Sequence, residues 1–238
     1  MIRLVAAVLV AVLPWRLKRA LLRLQGHEVD PSARIGISLV LVDHLRLGPG
    51  ARIGNGNLLL VERLVLEEGA EIKQLNAIRH CELVELGAHA AIGGLNMING
   101  TGSDSKFLAG VSRRPALLMG PHSCITYGHF LDTSDTITLG PYAGVGGWGS
   151  QILSHALDVG VAAQFTAPVE IGERALVATG VVIMPGSKLP PYAVLGANSL
   201  LNKPLEESYR LYGGTPATEV TELDPGLEWF TREVGEIP

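Results

Sequence analysis

Ile171-Gly-Glu-Arg-Ala-Leu-Val177-Ala-Thr-Gly-Val-Val-Ile183-Met-Pro-Gly-Ser-Lys-Leu189-Pro-Pro-Tyr-Ala-Val-Leu195-Gly-Ala-Asn-Ser-Leu-Leu201 carries an aliphatic residue at every sixth position. Period six fits neither an α-helix, which repeats near 3.6, nor a simple alternating strand. It fits a short flat strand followed by a turn, many times over. Outward from this stretch the same beat recurs. It runs through Val29, Ile35, Leu41, Leu47, Ile53 and Leu59, and slips by one residue to Leu60, Leu66, Ile72, Ile78 and Val84. Leu86, Ile92 and Ile98 follow, then Leu118, Cys124 and Phe130, then Leu139 and Val145. Gly follows the aliphatic residue at Gly36, Gly48, Gly54, Gly87, Gly93, Gly140, Gly146, Gly172 and Gly196. Ala or Ser stands four places after it at Ala33, Ala51, Ala90, Ala143, Ala175, Ser187, Ala193 and Ser199.

Three such units make one triangular coil, and stacked coils bury each aliphatic side chain over its counterpart. Each buried Ile or Leu contributes on the order of 1.5–3 kcal/mol. The expected fold is therefore an all-β solenoid, a parallel β-helix over residues 29 to about 205. Composition agrees: hydrophobic residues are 47% of the 238 and aromatics only 5%, which suits narrow repetitive layers. The net charge of −4 gives no field for nucleic acid. Two cysteines, Cys81 and Cys124, make no disulfide framework and allow a reducing, cytoplasmic compartment.

Residues 1–28 stand apart. Leu4–Leu13 is an apolar run of ten, where a membrane span needs about 20. No small-x-small cleavage site follows it. Pro14-Trp-Arg-Leu-Lys-Arg-Ala-Leu-Leu-Arg-Leu24 alternates cations with Leu at helical spacing. That pattern reads either as an amphipathic helix making peripheral membrane contact through residues 1–24, or as a cap on one end of the coil stack. Residues 206–238 form a C-terminal extension in which Asp224-Pro225 predicts the start of a short helix lying across the other end.

The units Leu47-Gly-Pro-Gly-Ala-Arg, Leu139-Gly-Pro-Tyr-Ala-Gly and Ile171-Gly-Glu-Arg-Ala-Leu resemble the repeat of the hexapeptide-repeat, left-handed β-helix acyltransferases. The resemblance covers about residues 29–217. It implies left-handed coils, a homotrimer, active sites between subunits and acetyl-CoA as co-substrate, with no metal.

Two breaks interrupt the repeat, at about 100–115 and 152–168, and insertions on a rigid scaffold are where function concentrates. The second opens with Ser154-His155 and closes with Pro168-Val-Glu-Ile-Gly172, which resembles the family's loop whose His is the general base. By position this is His155. An imidazole near pKa 6.5 can take a proton from a hydroxyl and return it to a thiolate. A loop histidine bonded to backbone is the plain alternative. His129 and Asp132, in Tyr127-Gly-His-Phe-Leu-Asp132, together with Ser150-Gln-Ile-Leu-Ser-His155, resemble a subgroup acting on surface polysaccharides. His129 is expected to assist the base, bind the sugar or polarise the thioester. Asp132 orients a histidine or caps its own turn; Asp135 reads as a turn cap.

The resemblance places CoA near Gly146, Gly147, Ala178, Thr179, Gly180 and Lys203. Gly144–Gly149 offers backbone N–H groups for an oxyanion, or a bulge around Trp148. Asn202 departs from the Thr usual before that Lys. The expected activity is O-acetyl transfer to a sugar hydroxyl of a surface glycan or its lipid-linked precursor. The alternatives are a non-catalytic trimeric scaffold and a zinc hydratase of the same fold, against which His122 and His129 have the wrong spacing.

Overall fold

The computed structural model describes residues 7–8, 10–102 and 105–235. These wind into a left-handed parallel β-helix of about nine turns. The helices Trp15–Leu24 (α1) and Glu228–Thr231 (α2) accompany it. The first face of the prism stacks Arg34–Ile35, Arg52–Ile53, Glu71–Ile72, Ala91–Ile92, Cys124–Ile125, Gly144–Val145, Leu176–Val177, Val194–Leu195 and Arg210–Gly214. The second runs through Ala77–Arg79, Met97–Asn99, Phe130–Asp132, Gln151–Leu153, Val182–Ile183 and Leu200–Leu201. The third holds Leu83–Leu86, Ala116–Met119, Ile137–Leu139, Val169–Ile171 and Lys188–Leu189. Early in the chain, Leu39–Leu47 and Leu58–Leu66 each run unbroken from the second face into the third.

The inward residues are those the period marks from Ile171 to Leu201: Ile171, Val177, Ile183, Leu189, Leu195 and Leu201 are all buried, as are the Ala and Ser positions at the corners. In three places the beat is off by one. Leu118, Cys124 and Phe130 are only half-buried, while Leu117, Met119, Ile125 and Leu131 fill the core. Leu41 yields to Val42, and Leu60 to Leu59 and Val61. Side chains alternate faces along a strand, so a slip of one residue turns a whole set outward. A stretch such as Leu58-Leu-Leu-Val61 is apolar on both sides and conceals its own register.

The three corners differ. At the first, between faces one and two, a column of buried polar side chains ties turn to turn. Ser38 Oγ accepts from Asn57 N at 3.0 Å, Asn57 Oδ1 from Asn76 N at 2.9 Å, and Asn76 Oδ1 from Asn96 N at 3.0 Å. At the third, between faces three and one, rings stack: His89 on His122 at 5.0 Å and His122 on Tyr142 at 4.7 Å, with the Arg174 guanidinium 4.2 Å from the Tyr142 ring. His122 and His129 therefore belong to different corners.

The second corner, between faces two and three, carries both insertions. Ile92 pairs with Ile125 and Val145 with Val177, each more than thirty residues on, where Ile35, Ile53 and Ile72 find partners about eighteen to twenty residues away. The first insertion contains a single 3₁₀ turn, Lys106–Leu108; Ser103 and Asp104 lie outside the described residues. The second is an antiparallel hairpin, His155–Asp158 against Ala163–Thr166.

Helix α1 closes the first coil. Leu22 and the Lys18 side chain are buried, and Lys18 Nζ donates to the carbonyls of Ala11 at 2.9 Å and Gly36 at 2.7 Å. Burial pushes the Lys18 pKa down. Of the apolar run before it, Leu4–Ala6 and Leu9 lie outside the described residues, as does Arg3. At the other end the final rung is Arg210–Gly214, and Ala217–Glu222 pairs antiparallel to it, covering the sheet edge. The short helix begins at Glu228 rather than at Asp224-Pro225. Asp224 Oδ1 instead accepts from Gly226 N at 2.8 Å, closing a turn. Nor does α2 cross the open end. Phe230 packs on Tyr192 and Tyr209, and Trp229 Nε1 donates to the Arg174 carbonyl at 2.8 Å, along the third corner.

Candidate active site

The second corner brings three successive turns together. The turn Thr133–Thr136 lies between the insertion above, which leaves the second face at Asn99, and the hairpin below, which leaves it at Leu153. Ser154 fastens the hairpin's root. Its Oγ donates to the Asp132 carbonyl at 2.6 Å and accepts from Asp135 N at 2.7 Å. His155 is thereby placed beside Asp132, and His155 Nδ1 is hydrogen-bonded to Asp132 Oδ2.

The pair is asymmetric. The Asp132 side chain is 8% exposed and that of His155 is 30% exposed. Asp132 Oδ1 accepts from Ser134 N at 2.9 Å and from Ser134 Oγ at 2.6 Å, so both carboxylate oxygens are satisfied. Asp132 thus caps its own turn and orients a histidine at once. With Nδ1 facing a carboxylate, the ring proton belongs on Nδ1 and the lone pair on Nε2. Among the described residues Nε2 has no hydrogen-bond partner. The result is an imidazole fixed in one tautomer, able to accept a proton on its open side, with a carboxylate behind it to stabilise the cation.

The first insertion is clamped over this turn. Ser134 Oγ lies 2.9 Å from Thr101 Oγ1. Arg113 donates to the Ser134 carbonyl at 3.0 Å, to the Gly102 carbonyl at 2.6 Å and to the Thr101 carbonyl. Phe107 stands edge-on to His155, ring centroids 5.8 Å apart. Asp135 accepts from Arg114 N at 3.3 Å and Thr136 N at 2.8 Å, a turn cap as its position predicts. Cys81, buried against Thr133 Oγ1 at 3.1 Å, has its thiol pKa pushed up to about 11 by burial and is an inert packing group.

His129 occupies the other end of the second face, and the structure does not bring it to His155. It is 1% exposed and serves as a rung of the polar column at the first corner. Its backbone N donates to Asn96 Oδ1 at 2.9 Å, and its Nδ1 accepts from Ser150 N at 3.2 Å. Nε2 therefore carries the proton and faces Thr126 Oγ1 at 3.0 Å. Burial lowers its pKa to about 4, against a small opposing influence from the Gly147 carbonyl. Both ring nitrogens are spent.

The chain aligns with solved structures of one architecture. A variant of AntD, an N-acyltransferase from Bacillus cereus in complex with dTDP and coenzyme A, superposes with a TM-score of 0.55 at 13% identity, over 72% of this chain and 83% of that one. A hexapeptide-repeat-containing acetyltransferase from Vibrio cholerae O1 biovar eltor, complexed with acetyl coenzyme A, gives 0.47 at 19% identity over 58% and 70%. NeuO, the polysialic-acid-specific acetyltransferase, gives 0.46 at 16% identity over 82% and 86%. No family model and no curated protein matches the chain. The chain shares its fold with AntD, a left-handed parallel β-helix.

Within that β-helix the residues expected around CoA divide into two groups. Gly146 and Gly147 stack on Ala178 and Thr179 at the first corner, with Gly180 beside them. Gly146 N donates to the Val177 carbonyl at 2.8 Å, and a Cβ on Gly147 would come within 2.4 Å of Thr179 Cβ. Lys203 is exposed and lies at the second corner, in the turn after Leu201. It stands two coils beyond the hairpin, roughly 10 Å along the axis. The N–H groups of Gly146, Trp148 and Gly149 are consumed in coil-to-coil bonds, to Val177 O, Thr179 Oγ1 and Gly128 O. This stretch lies at the opposite end of the face from His155, and these three N–H groups are spent there rather than turned toward the hairpin. Sequence reading missed Ser134, Thr101, Arg113 and Phe107. Of these only Ser134 left a trace, in the Asp-x-Ser spacing of an Asx turn.

Proposed function

We propose that this protein is an acetyl-CoA-dependent O-acetyltransferase acting on a sugar hydroxyl of a surface glycan or its lipid-linked precursor. His155 is the general base and Asp132 its positioning partner. The observation that carries the reading is the Asp132–His155 pair, with Nε2 unspent at a corner built from two insertions. Nε2 removes the proton from the acceptor hydroxyl as that oxygen attacks the thioester carbonyl. The tetrahedral intermediate then collapses with cleavage of the C–S bond. The imidazolium returns its proton to the departing thiolate, leaving an acetyl ester and free CoA. Asp132 stabilises the imidazolium without taking the proton, as buried carboxylates do behind catalytic histidines.

The reading includes a homotrimer. Ile37, Leu75, Leu95, Met97, Tyr127 and Trp148 are exposed, and most of them line the first corner from turn to turn. A stripe of that kind is suited to burial against further copies of the chain. Packing there sets the narrow Gly146–Gly147 and Ala178–Gly180 corner at a subunit boundary, where the pantetheine arm of CoA can lie close to backbone. Lys203, on the His155 corner, is the cation offered to a CoA phosphate. His129 is assigned to holding the first corner rather than to chemistry.

Titration calorimetry with CoA separates an enzyme from a scaffold, which gives no binding heat. Thiol release from acetyl-CoA, measured against sugar acceptors bearing free hydroxyls or free amines, then defines the acceptor. Glycan acetylation unchanged between cells with and without the protein, together with no CoA binding, overturns the assignment.

A further inference from the structure

Helix α1 carries charge and apolar surface the wrong way round for a simple cap. At about 100° per residue, Lys18 and Leu22 share one side, Ala20, Leu24 and Leu17 lie across from them with Leu21 at the near edge, and Arg16 and Arg23 lie together on the other flank. The structure follows this wheel. The lysine and Leu22 are buried in the first coil, and Trp15 packs on the core beside them. Leu24 is 83% exposed and Leu17 is 56% exposed, with Leu21 also in the open. Val8 and Val12, just upstream, are exposed as well. A helix serving only to seal the prism would show water its polar face. This one turns its cation inward, onto carbonyls that end the coil, and presents leucines outward.

Charge identifies what covers those leucines. Residues 1–27 hold five cations, Arg3, Arg16, Lys18, Arg19 and Arg23, and no carboxylate. The remaining residues hold fourteen cations against all 23 carboxylates. The positive end of an acidic protein therefore coincides with its exposed leucine face. A second copy meeting these leucines with its own would bring the cations of one end against the like cations of the other. A bilayer containing anionic lipid offers hydrocarbon to the leucines and phosphate to Arg16 and Arg23 together. No helix of the described residues is long and apolar enough to cross a membrane, so the contact lies in the plane of the interface.

We infer that α1 docks this protein on an anionic lipid surface through Leu17, Leu21 and Leu24, flanked by Arg16 and Arg23, while its opposite face seals the first turn of the β-helix. The docking is independent of the acyl-transfer chemistry and stands or falls without it. It gives the proposed enzyme a place beside a lipid-linked acceptor.

The test is co-sedimentation of the full chain with phosphatidylcholine vesicles, with and without phosphatidylglycerol. Binding is expected only with the anionic lipid and should weaken as salt is raised. Leu17→Ser/Leu21→Ser/Leu24→Ser should lose more than about a hundredfold in partitioning, and Arg16→Gln/Arg23→Gln roughly thirtyfold. All these side chains are exposed, so circular dichroism and the melting temperature should stay unchanged. Equal binding by the leucine variant, or no binding by the wild type, overturns the inference. A leucine variant whose oligomeric mass drops, with a wild type that ignores vesicles, assigns the face to protein contact instead.

Discussion

The two ends of the second face each hold a histidine, and they are used in opposite ways. His129 lies at a corner where the repeat is unbroken, so both ring nitrogens are consumed, Nδ1 by Ser150 N of the next turn and Nε2 by Thr126 Oγ1 of its own. His155 lies at a corner where the repeat is interrupted. The hairpin lifts it out of the stack, and among the described residues only one nitrogen is engaged, by Asp132. A regular solenoid consumes its polar groups in its own ladder, because a buried donor or acceptor left unpaired costs about 1–3 kcal/mol. Chemistry needs a group the ladder has not consumed. On this fold such a group appears where the chain departs from its period.

Replacing His155 is the strongest way to test that contrast. His155→Ala should lower acetyl transfer by about a thousandfold or more, with circular dichroism and melting temperature unchanged. Retained turnover would remove the distinction between the corners. Asp132→Asn is expected to follow, at about a hundredfold in kcat, because an amide cannot stabilise the imidazolium and can reverse the tautomer. A chemical-shift measurement of the His155 ring nitrogens gives a second readout: the wild type should carry its proton on Nδ1.

Most of the fold is legible in the spacing of Ile and Leu. Where it failed, at Leu118, Cys124 and Phe130, the neighbours Leu117, Met119, Ile125 and Leu131 are equally apolar, and period two cannot choose between adjacent hydrophobic residues. The interrupted repeat and the Ser154-His155 pair pointed to His155, and the resemblance of Tyr127–Asp132 with Ser150–His155 pointed to Asp132; the structure hydrogen-bonds these two side chains to each other. The position of His129 was not. Its role depends on Asn57, Asn76 and Asn96 standing in register beneath it, and that register passes through the insertion before Ala116. Ser134 is foreshadowed only by the Asp-x-Ser spacing, and Arg113 acts on carbonyl oxygens, which have no signature in residue type.

The opposite end of the face supplies the next test. His129→Leu removes an acceptor for Ser150 N and a partner for Thr126, and should destabilise the protein by about 1–3 kcal/mol. His129→Asn restores a rung like Asn96 and should recover much of that loss. Acetyl transfer per folded molecule should survive in the Asn variant. The pH dependence sharpens the point. Burial lowers the folded-state pKa of His129 to about 4, below the ~6.5 of an exposed imidazole. The unfolded chain therefore binds the extra proton more readily between those values. The stabilisation is fully present above the unfolded pKa and declines as pH falls toward 4, by on the order of 2 kcal/mol between pH 7 and 5. Urea melts of wild type and His129→Asn at the two pH values should show a steeper fall for the wild type. Parallel curves would mean that His129 is charged or exposed when folded.

The smallest expected effect concerns the side of Asp132 that faces away from the histidine. Ser134 gives Asp132 Oδ1 two hydrogen bonds, one from its backbone and one from its hydroxyl. Ser134→Ala removes only the second. A hydrogen bond to a charged group contributes about 1.5–3 kcal/mol, yet the backbone donor remains and water can enter from the Thr101 side. The loss in kcat should therefore be modest, about threefold to tenfold, with the KM for acetyl-CoA unchanged. Ser134→Thr, which keeps the hydroxyl, should restore the rate if the methyl group fits beside Thr101. A Ser134→Ala enzyme that turns over like the wild type, while Asp132→Asn is crippled, would place the whole positioning task on the backbone turn. The second corner would then differ from the first only in the side chain it sets free, not in a dedicated network behind it.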